Sequence, residues 1–308
     1  MDWFTDYLQN RYQRVGIKGQ NSDWEHIKAG VPQGSVLGPL LFMVYINDLV
    51  DNIQCEIKLY ADDTTLYIAT DNLEERKQML EDDLHTICAW SKQWLVTFCP
   101  NKTEFMHLSF KKKENIPDPP IFNGQILQQV ESHKHLGVTI SSNLSWSEHI
   151  GNIAKSASKS LEAMRKLKHT LDRKTLDTVY ITFIRPKLEY ANIIWHDCTQ
   201  AESDLLEGLQ LDAARVITGA KKGTSHDKIY SECGWQTLAE RRENTQLTQF
   251  YKMINHETPE YVSDLVPNSV GNTVNIVRLR NEKKLRTIKC RTTKFKKSFL
   301  PNVVNMWN

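Results

Sequence analysis

Apolar positions follow two different rhythms along the chain. Up to about residue 147, short alternating runs are interleaved with helical stretches; from about 148 the spacing is helical throughout. Trp3, Phe4, Tyr7 and Leu8 share one face and predict a helix over residues 1–15. The apolar run 40–50 follows Pro39, whose missing N–H costs nothing in a first helical turn, and predicts another. Residues 56–69 alternate and predict a β-hairpin around Ala61-Asp62-Asp63. Leu73, Leu80, Leu84, Ile87, Ser91 and Trp94 form the stripe of a helix over 72–95, with Asn72 as N-cap. Two short strands are expected around Pro100-Asn101-Lys102. A strand pair is expected over 121–140, with a turn at Asn123-Gly124. Beyond 148, Ile150, Ile153, Ala154, Ala157, Leu161, Met164 and Leu167 mark one helix, and similar patterns recur at 173–185, 201–218 and 236–256. These patterns predict an α+β part over residues 1–147, an all-helical part over 148–268 and a tail over 269–308.

Charge changes this picture at one place. The whole chain carries +2, yet residues 271–308 hold ten Lys or Arg against a single acid, Glu282. A basic tail on a mildly acidic body suits a polyanionic partner, and equally a solvated, disordered tail. The six cysteines lack any CxxC pair. His85-x-x-Cys88 and His196-x-Cys198 lack the second ligand set that zinc needs, so free thiols are expected. The start, MDWFTDYLQNR, is polar rather than a signal peptide, and PLLFMVYI is too short to span a bilayer. An intracellular protein with no membrane partner is expected.

The candidate chemistry lies in LYADDTTLY, residues 59–67. Asp62 and Asp63 at a hairpin tip read either as a solvated turn or as ligands of a divalent cation, because adjacent carboxylates repel unless a hard ion such as Mg²⁺ joins them. Upstream, GVPQGSVLGP opens a helix, and Gly-rich loops at helix N-termini accommodate phosphate. Downstream come Asn101-Lys102-Thr103 and HLGV at 135–138.

The order PQG, YADD, NKT, HLGV resembles the reverse transcriptases of non-LTR retrotransposons, of the jockey and CR1 kind. The resemblance runs the length of the chain, from WFTDYLQNRYQRV through IRPKLEYANIIW to KFKKSFLPNVVNMWN. It implies a right-hand polymerase: a partial palm of antiparallel sheet and helices, then a helical thumb-like region and the basic tail. It implies RNA-directed DNA polymerase activity by two-metal nucleotidyl transfer, with RNA template, DNA primer and deoxynucleoside triphosphates as partners. On matching positions, Asp62 would bind catalytic Mg²⁺ and Asp63 assist. Tyr60 would support the hairpin near the primer end, and Gln33 and Gly34 would lie by the incoming nucleotide and template. Lys102 would meet the pyrophosphate leaving group, and His135, Leu136 and Gly137 would form the primer grip.

The chain departs from this pattern in one respect. The family places a further aspartate on a strand ahead of WFTDYLQNR, and Asp2 and Asp6 are not substitutes for it. Fingers, an upstream endonuclease and a CCHC knuckle are not found either. Two ions roughly 3.5–4 Å apart need carboxylates from at least two converging segments. These 308 residues alone are therefore expected not to polymerise, and a palm short of a strand is expected to dissolve poorly. The alternatives are an inactive remnant that binds nucleic acid through thumb and tail, and a helical interaction module over 150–268 that is stable alone. Arg165, Lys166, Lys168, Arg173 and Lys174 are phosphate candidates under the binding reading. Lys111, Lys112 and Lys113 read as a solvated run, and Trp90, Trp94, Trp146 and Trp195 as core.

Overall fold

The computed structural model describes residues 2–69, 72–109, 118–221, 223–269 and 284–308. The lysine run 111–113 and residues 270–283 of the basic tail lie outside the described residues. The chain forms two compact units, one of residues 1–107 and 111–130, the other of residues 108–110 and 131–308. The break falls ahead of the expected change near 147, because a further hairpin packs with the helices that follow it. Among the described residues no helix is long and apolar enough to cross a membrane.

The first unit begins with α1 (Asp2–Leu8), β1 (Arg11–Gln13), β2 (Gly16–Ile17), β3 (Gln20–Asn21) and β4 (Glu25–Ile27). Next come α2 (Leu37–Ile46), a 3-10 turn (Asn47–Val50), β5 (Glu56–Tyr60), β6 (Asp63–Tyr67) and α3 (Leu73–Gln93). A 3-10 turn (Pro100–Lys102), β7 (Glu104–Phe105), β8 (Ile121–Phe122), β9 (Gln125–Ile126) and β10 (Gln128–Gln129) complete it. Strands pair only in twos among the described residues: β1–β4, β2–β3, β5–β6 and β8–β9 antiparallel, β7–β10 parallel. Asn123 and Gly124 take positive φ (+48° and +77°), the two-residue turn that Asn-Gly favours.

The helix expected over 1–15 stops at Leu8. Its apolar face ends there, Asn10 turns to φ +53°, and Arg11–Gln13 pair with Glu25–Ile27 instead. Helix α3 matches its stripe, and the Asn72 side chain accepts the Glu75 N–H. Ile46, Leu49, Leu84, Ile87, Phe122 and Leu127 form the buried core of this unit, with Phe42, Leu59 and Leu66 packed against it. Val36 at the N-cap of α2, and Leu40, Met43 and Val44 on the helix, follow an i, i+4, i+7, i+8 spacing and are all exposed, from 52 % to 92 %.

The second unit opens with β11 (Ser132–His135) and β12 (Val138–Ser141), an antiparallel hairpin. Then come α4 (Ser147–Leu167), α5 (Arg173–Val179), a π turn (Tyr180–Ile184), α6 (Arg185–Glu189), α7 (Gln200–Thr218) and α8 (His226–Cys233). It ends with α9 (Leu238–Ile254), α10 (Glu260–Ser263), α11 (Thr293–Lys297) and α12 (Phe299–Trp307). The single helix expected over 173–185 is interrupted by the π turn. Pro186 has no N–H to give Thr182 and its ring crowds that carbonyl, and a widened turn relieves both. Thr199 and Thr237 cap α7 and α9 in reciprocal pairs with Glu202 and Glu240.

The main core here is apolar and continuous, from Ile150 through Tyr180 and Trp195 to Leu238. A second cluster joins α9 to the chain end: Phe250 and Met253 pack with Val303 and Val304, all essentially without exposure. The described part of the basic tail thus packs through its apolar residues, while most of its Lys and Arg side chains stay exposed. Lys294 donates to the Leu144 carbonyl at 2.6 Å and lies 3.6 Å from the Asp197 carboxylate.

Candidate active site

The β5–β6 hairpin carries the two carboxylates at its tip, Asp62 in a two-residue turn and Asp63 as the first residue of β6. Tyr60 faces Asp63 across the ladder, leaving Ala61 and Asp62 as the turn. Ala61 takes φ +51°, a left-handed conformation that tight hairpin turns require. Ile57, Leu59 and Leu66 are partly buried, and Leu59 and Leu66 lie against the core. Asp62, Asp63 and Tyr60 are exposed, so both carboxylates are presented to solvent from an apolar base. The Lys58–Glu56 pair beside them is more than half exposed and contributes little.

The base of the hairpin is held by a residue that the motifs do not include. Asp83 of α3, 1 % exposed, accepts the backbone N–H groups of Gln54 and Cys55 at 2.9 and 2.7 Å. Burial, and then the neighbouring Asp83, push the Cys55 thiol up to about 12. A signal for Asp83 existed in the sequence. It stands at the i+3 position between Leu80 and Leu84 on the α3 stripe, where a carboxylate is costly unless it receives hydrogen bonds.

Gln33 and Gly34 lie on a turn in which the Ser35 N–H donates to the Pro32 carbonyl. Gly34 takes φ +81°, as the third residue of such a turn demands. The Ser35 hydroxyl donates to the Pro32 carbonyl and accepts the Gly38 N–H, tying the turn to the start of α2. Gly38 has no room for a side chain: a Cβ there would meet Ser35 Oγ at 2.9 Å and the Pro32 carbonyl at 3.1 Å. Lys102 is exposed on the 3-10 turn, whose N–H groups bond back to Cys99 and Pro100.

The structure thus brings Tyr60, Asp62 and Asp63 together on one hairpin and puts Gln33, Gly34 and Lys102 on separate turns of the same unit. His135, Leu136 and Gly137 belong to the second unit, where Leu136 and Gly137 form the β11–β12 turn with φ +45° and +84°. Of the four tryptophans, Trp195 is fully buried, Trp90 and Trp146 are partly buried, and Trp94 is 38 % exposed.

As oxygen donors, Asp62 and Asp63 suit Mg²⁺. Their number supplies part of an ion's shell: among the described residues no group of three or more His, Cys, Asp or Glu is placed to hold a metal.

Residues 1–140 match the family described as reverse transcriptase (RNA-dependent DNA polymerase). The match spans the PQG turn, the aspartate hairpin, the Lys102 turn and the Leu136–Gly137 turn. The chain is 24 % identical over 309 residues to the RNA-directed DNA polymerase from mobile element jockey of Drosophila melanogaster, covering 97 % of this chain and 32 % of that protein. It is 28 % identical over 246 residues to the probable RNA-directed DNA polymerase from transposon BS of the same organism, covering 76 % of this chain and 27 % of the relative. A third relative, from the X-element, is 27 % identical over 229 residues and is covered to 24 %. The chain therefore spans about a quarter to a third of the length of these relatives. Its similarity is to the RNA-directed DNA polymerases of mobile elements.

Proposed function

We propose that this chain is the palm and thumb portion of an RNA-directed DNA polymerase that extends a DNA primer on an RNA template. The observation that carries the reading is the pair Asp62 and Asp63, exposed at the tip of a hairpin inside the segment that matches the family. Residues 1–147 supply the palm portion, 148–268 the thumb and 269–308 the basic tail. Asp62 and Asp63 would hold Mg²⁺, which when bound activates the primer hydroxyl and neutralises charge on the transferred phosphoryl group. Tyr60 braces the tip beside the primer end. Gln33 and Gly34 present the turn to nucleotide and template, Lys102 faces the pyrophosphate, and His135, Leu136 and Gly137 meet the primer strand.

A second reading, nucleic-acid binding without catalysis, draws on the surface charge of the second unit. Lys166, Lys168 and Lys174 are exposed there. Arg165 and Arg173 are less available, since Arg165 pairs with Glu162 and Asp212 and Arg173 with Glu232.

The test is primer binding and extension by the 308-residue chain, with Mn²⁺ as a paramagnetic probe of the hairpin. The expected result is salt-sensitive duplex binding, Mn²⁺ broadening of Tyr60 signals that Asp62→Asn removes, and no extension. Extension abolished by Asp62→Asn would show that these residues complete the shell themselves. Absence of both duplex binding and hairpin broadening would end the polymerase reading.

A further inference from the structure

Tyr190 closes α6 and reaches the turn of the β11–β12 hairpin. Its Oη donates to the Leu136 carbonyl at 2.8 Å. Its ring lies so close to the turn that a Cβ built on Gly137 would stand 3.0 Å from Cε1. Both turn residues take positive φ, which Gly accepts freely and Leu does not. Asn-Gly is the pair that favours such a turn unaided, as at Asn123-Gly124, whereas here the first position is leucine. The conformation of this turn needs support from outside it, and Tyr190 provides a bond to one of its residues and a surface for the other.

Tyr190 is itself fixed. Its N–H donates to the Pro186 carbonyl at 3.0 Å, and its carbonyl accepts the indole N–H of Trp195 at 2.9 Å. Trp195 is wholly buried in the main core. A chain of contacts therefore runs from the helical core through Tyr190 to the exposed turn.

We propose that Tyr190 is the positioning residue of the His135–Leu136–Gly137 turn, holding it in the one conformation in which it meets the primer strand. The primer part of this statement rests on the function proposed above; the positioning part does not. Tyr190 touches the turn and acts through it.

The experiment compares the full chain with Tyr190→Phe, Leu136→Asn and the double variant. Two quantities are read: amide exchange over residues 132–141, and photo-crosslinking of that segment to a thiothymidine at the 3′ end of a DNA primer on an RNA template. Tyr190→Phe keeps the ring and removes one hydrogen bond, so exchange should rise about fivefold and crosslinking should fall with it. Leu136→Asn supplies a residue that tolerates positive φ, so the double variant should return to the exchange of Leu136→Asn alone and to its crosslinking yield. Unchanged exchange in Tyr190→Phe, or no recovery in the double variant, overturns the positioning role. Faster exchange with unchanged crosslinking leaves positioning intact and overturns the assignment of the turn to the primer.

Discussion

Asp83 holds Cys55 from a buried position, its carboxylate taking the Cys55 N–H at 2.7 Å while the second oxygen takes that of Gln54. The start of the aspartate hairpin is thereby fastened to α3. Asp83→Asn would leave one of the two N–H groups facing an amide donor, and hydrogen bonds to charged groups contribute about 1.5–3 kcal/mol each. A loss of about 2–3 kcal/mol in urea denaturation is expected. The Cys55 thiol, raised to about 12 by burial and Asp83, should react with thiol reagents only as the unit opens, long after exposed Cys99. Early labelling of Cys55 in the native protein would contradict this anchoring.

Gly38 sits in a helix, where alanine is ordinarily better by about 1 kcal/mol. Here the sign should reverse, because the added methyl meets Ser35 Oγ and the Pro32 carbonyl. Gly38→Ala should destabilise by about 1–3 kcal/mol and disturb the turn bearing Gln33. An increase in melting temperature would show that the turn yields without cost.

Deleting residues 269–308 removes Val303 and Val304 from the cluster with Phe250 and Met253, and Lys294 from Asp197. Burying a valine contributes about 1.5–3 kcal/mol. The shortened chain should lose at least about 3 kcal/mol from its helical unit, seen as a lower urea midpoint by far-UV dichroism. The sequence left open that residues 150–268 stand alone as a helical module; an unchanged midpoint would restore that option.

His149, 3 % exposed, accepts the Thr139 N–H on Nδ1, and burial together with Lys134 lowers its pKa below 6.5. The folded state prefers the neutral ring, so the unfolded chain binds the extra proton first as pH falls. Stability should be complete above pH 6.5 and decline from there down to the folded pKa, by at most about 1.4 kcal/mol per pH unit. His149→Gln should flatten this stretch of the stability–pH curve measured between pH 7.5 and 5. An equal slope in the variant would assign the dependence elsewhere.

Much of the second unit was legible because its signals are local. The stripe of α4 and the helical patterns at 201–218 and 236–256 coincide with helices whose faces are buried. The turn at Asn123-Gly124 was legible for the same reason. The end of α1 was not, since its fate depends on Arg11–Gln13 finding a partner across a loop. Nor was the role of the chain end: a basic composition hides the pair Val303 and Val304, whose partners lie on α9. At the candidate site, Asp62 and Asp63 announced themselves by adjacency. Asp83 showed only as a carboxylate on an apolar stripe, and Tyr190 not at all, because its partners are the Leu136 carbonyl and the Gly137 backbone, which residue identity does not reveal.

Among the described residues β5 and β6 pair only with each other, so the hairpin carrying Asp62 and Asp63 is a ribbon with two open edges. A two-stranded ribbon is marginal by itself, and this one leans on the core beside α3 through Leu59 and Leu66. A strand docking on an edge would stiffen the tip, and a stiffer tip would hold Asp62 and Asp63 in a narrower range of positions for a cation. If strand docking changes cation affinity by some factor, cation binding must change strand affinity by the same factor. What the two events would share is the coupling between them, readable either as a change in strand docking or as a change in cation affinity.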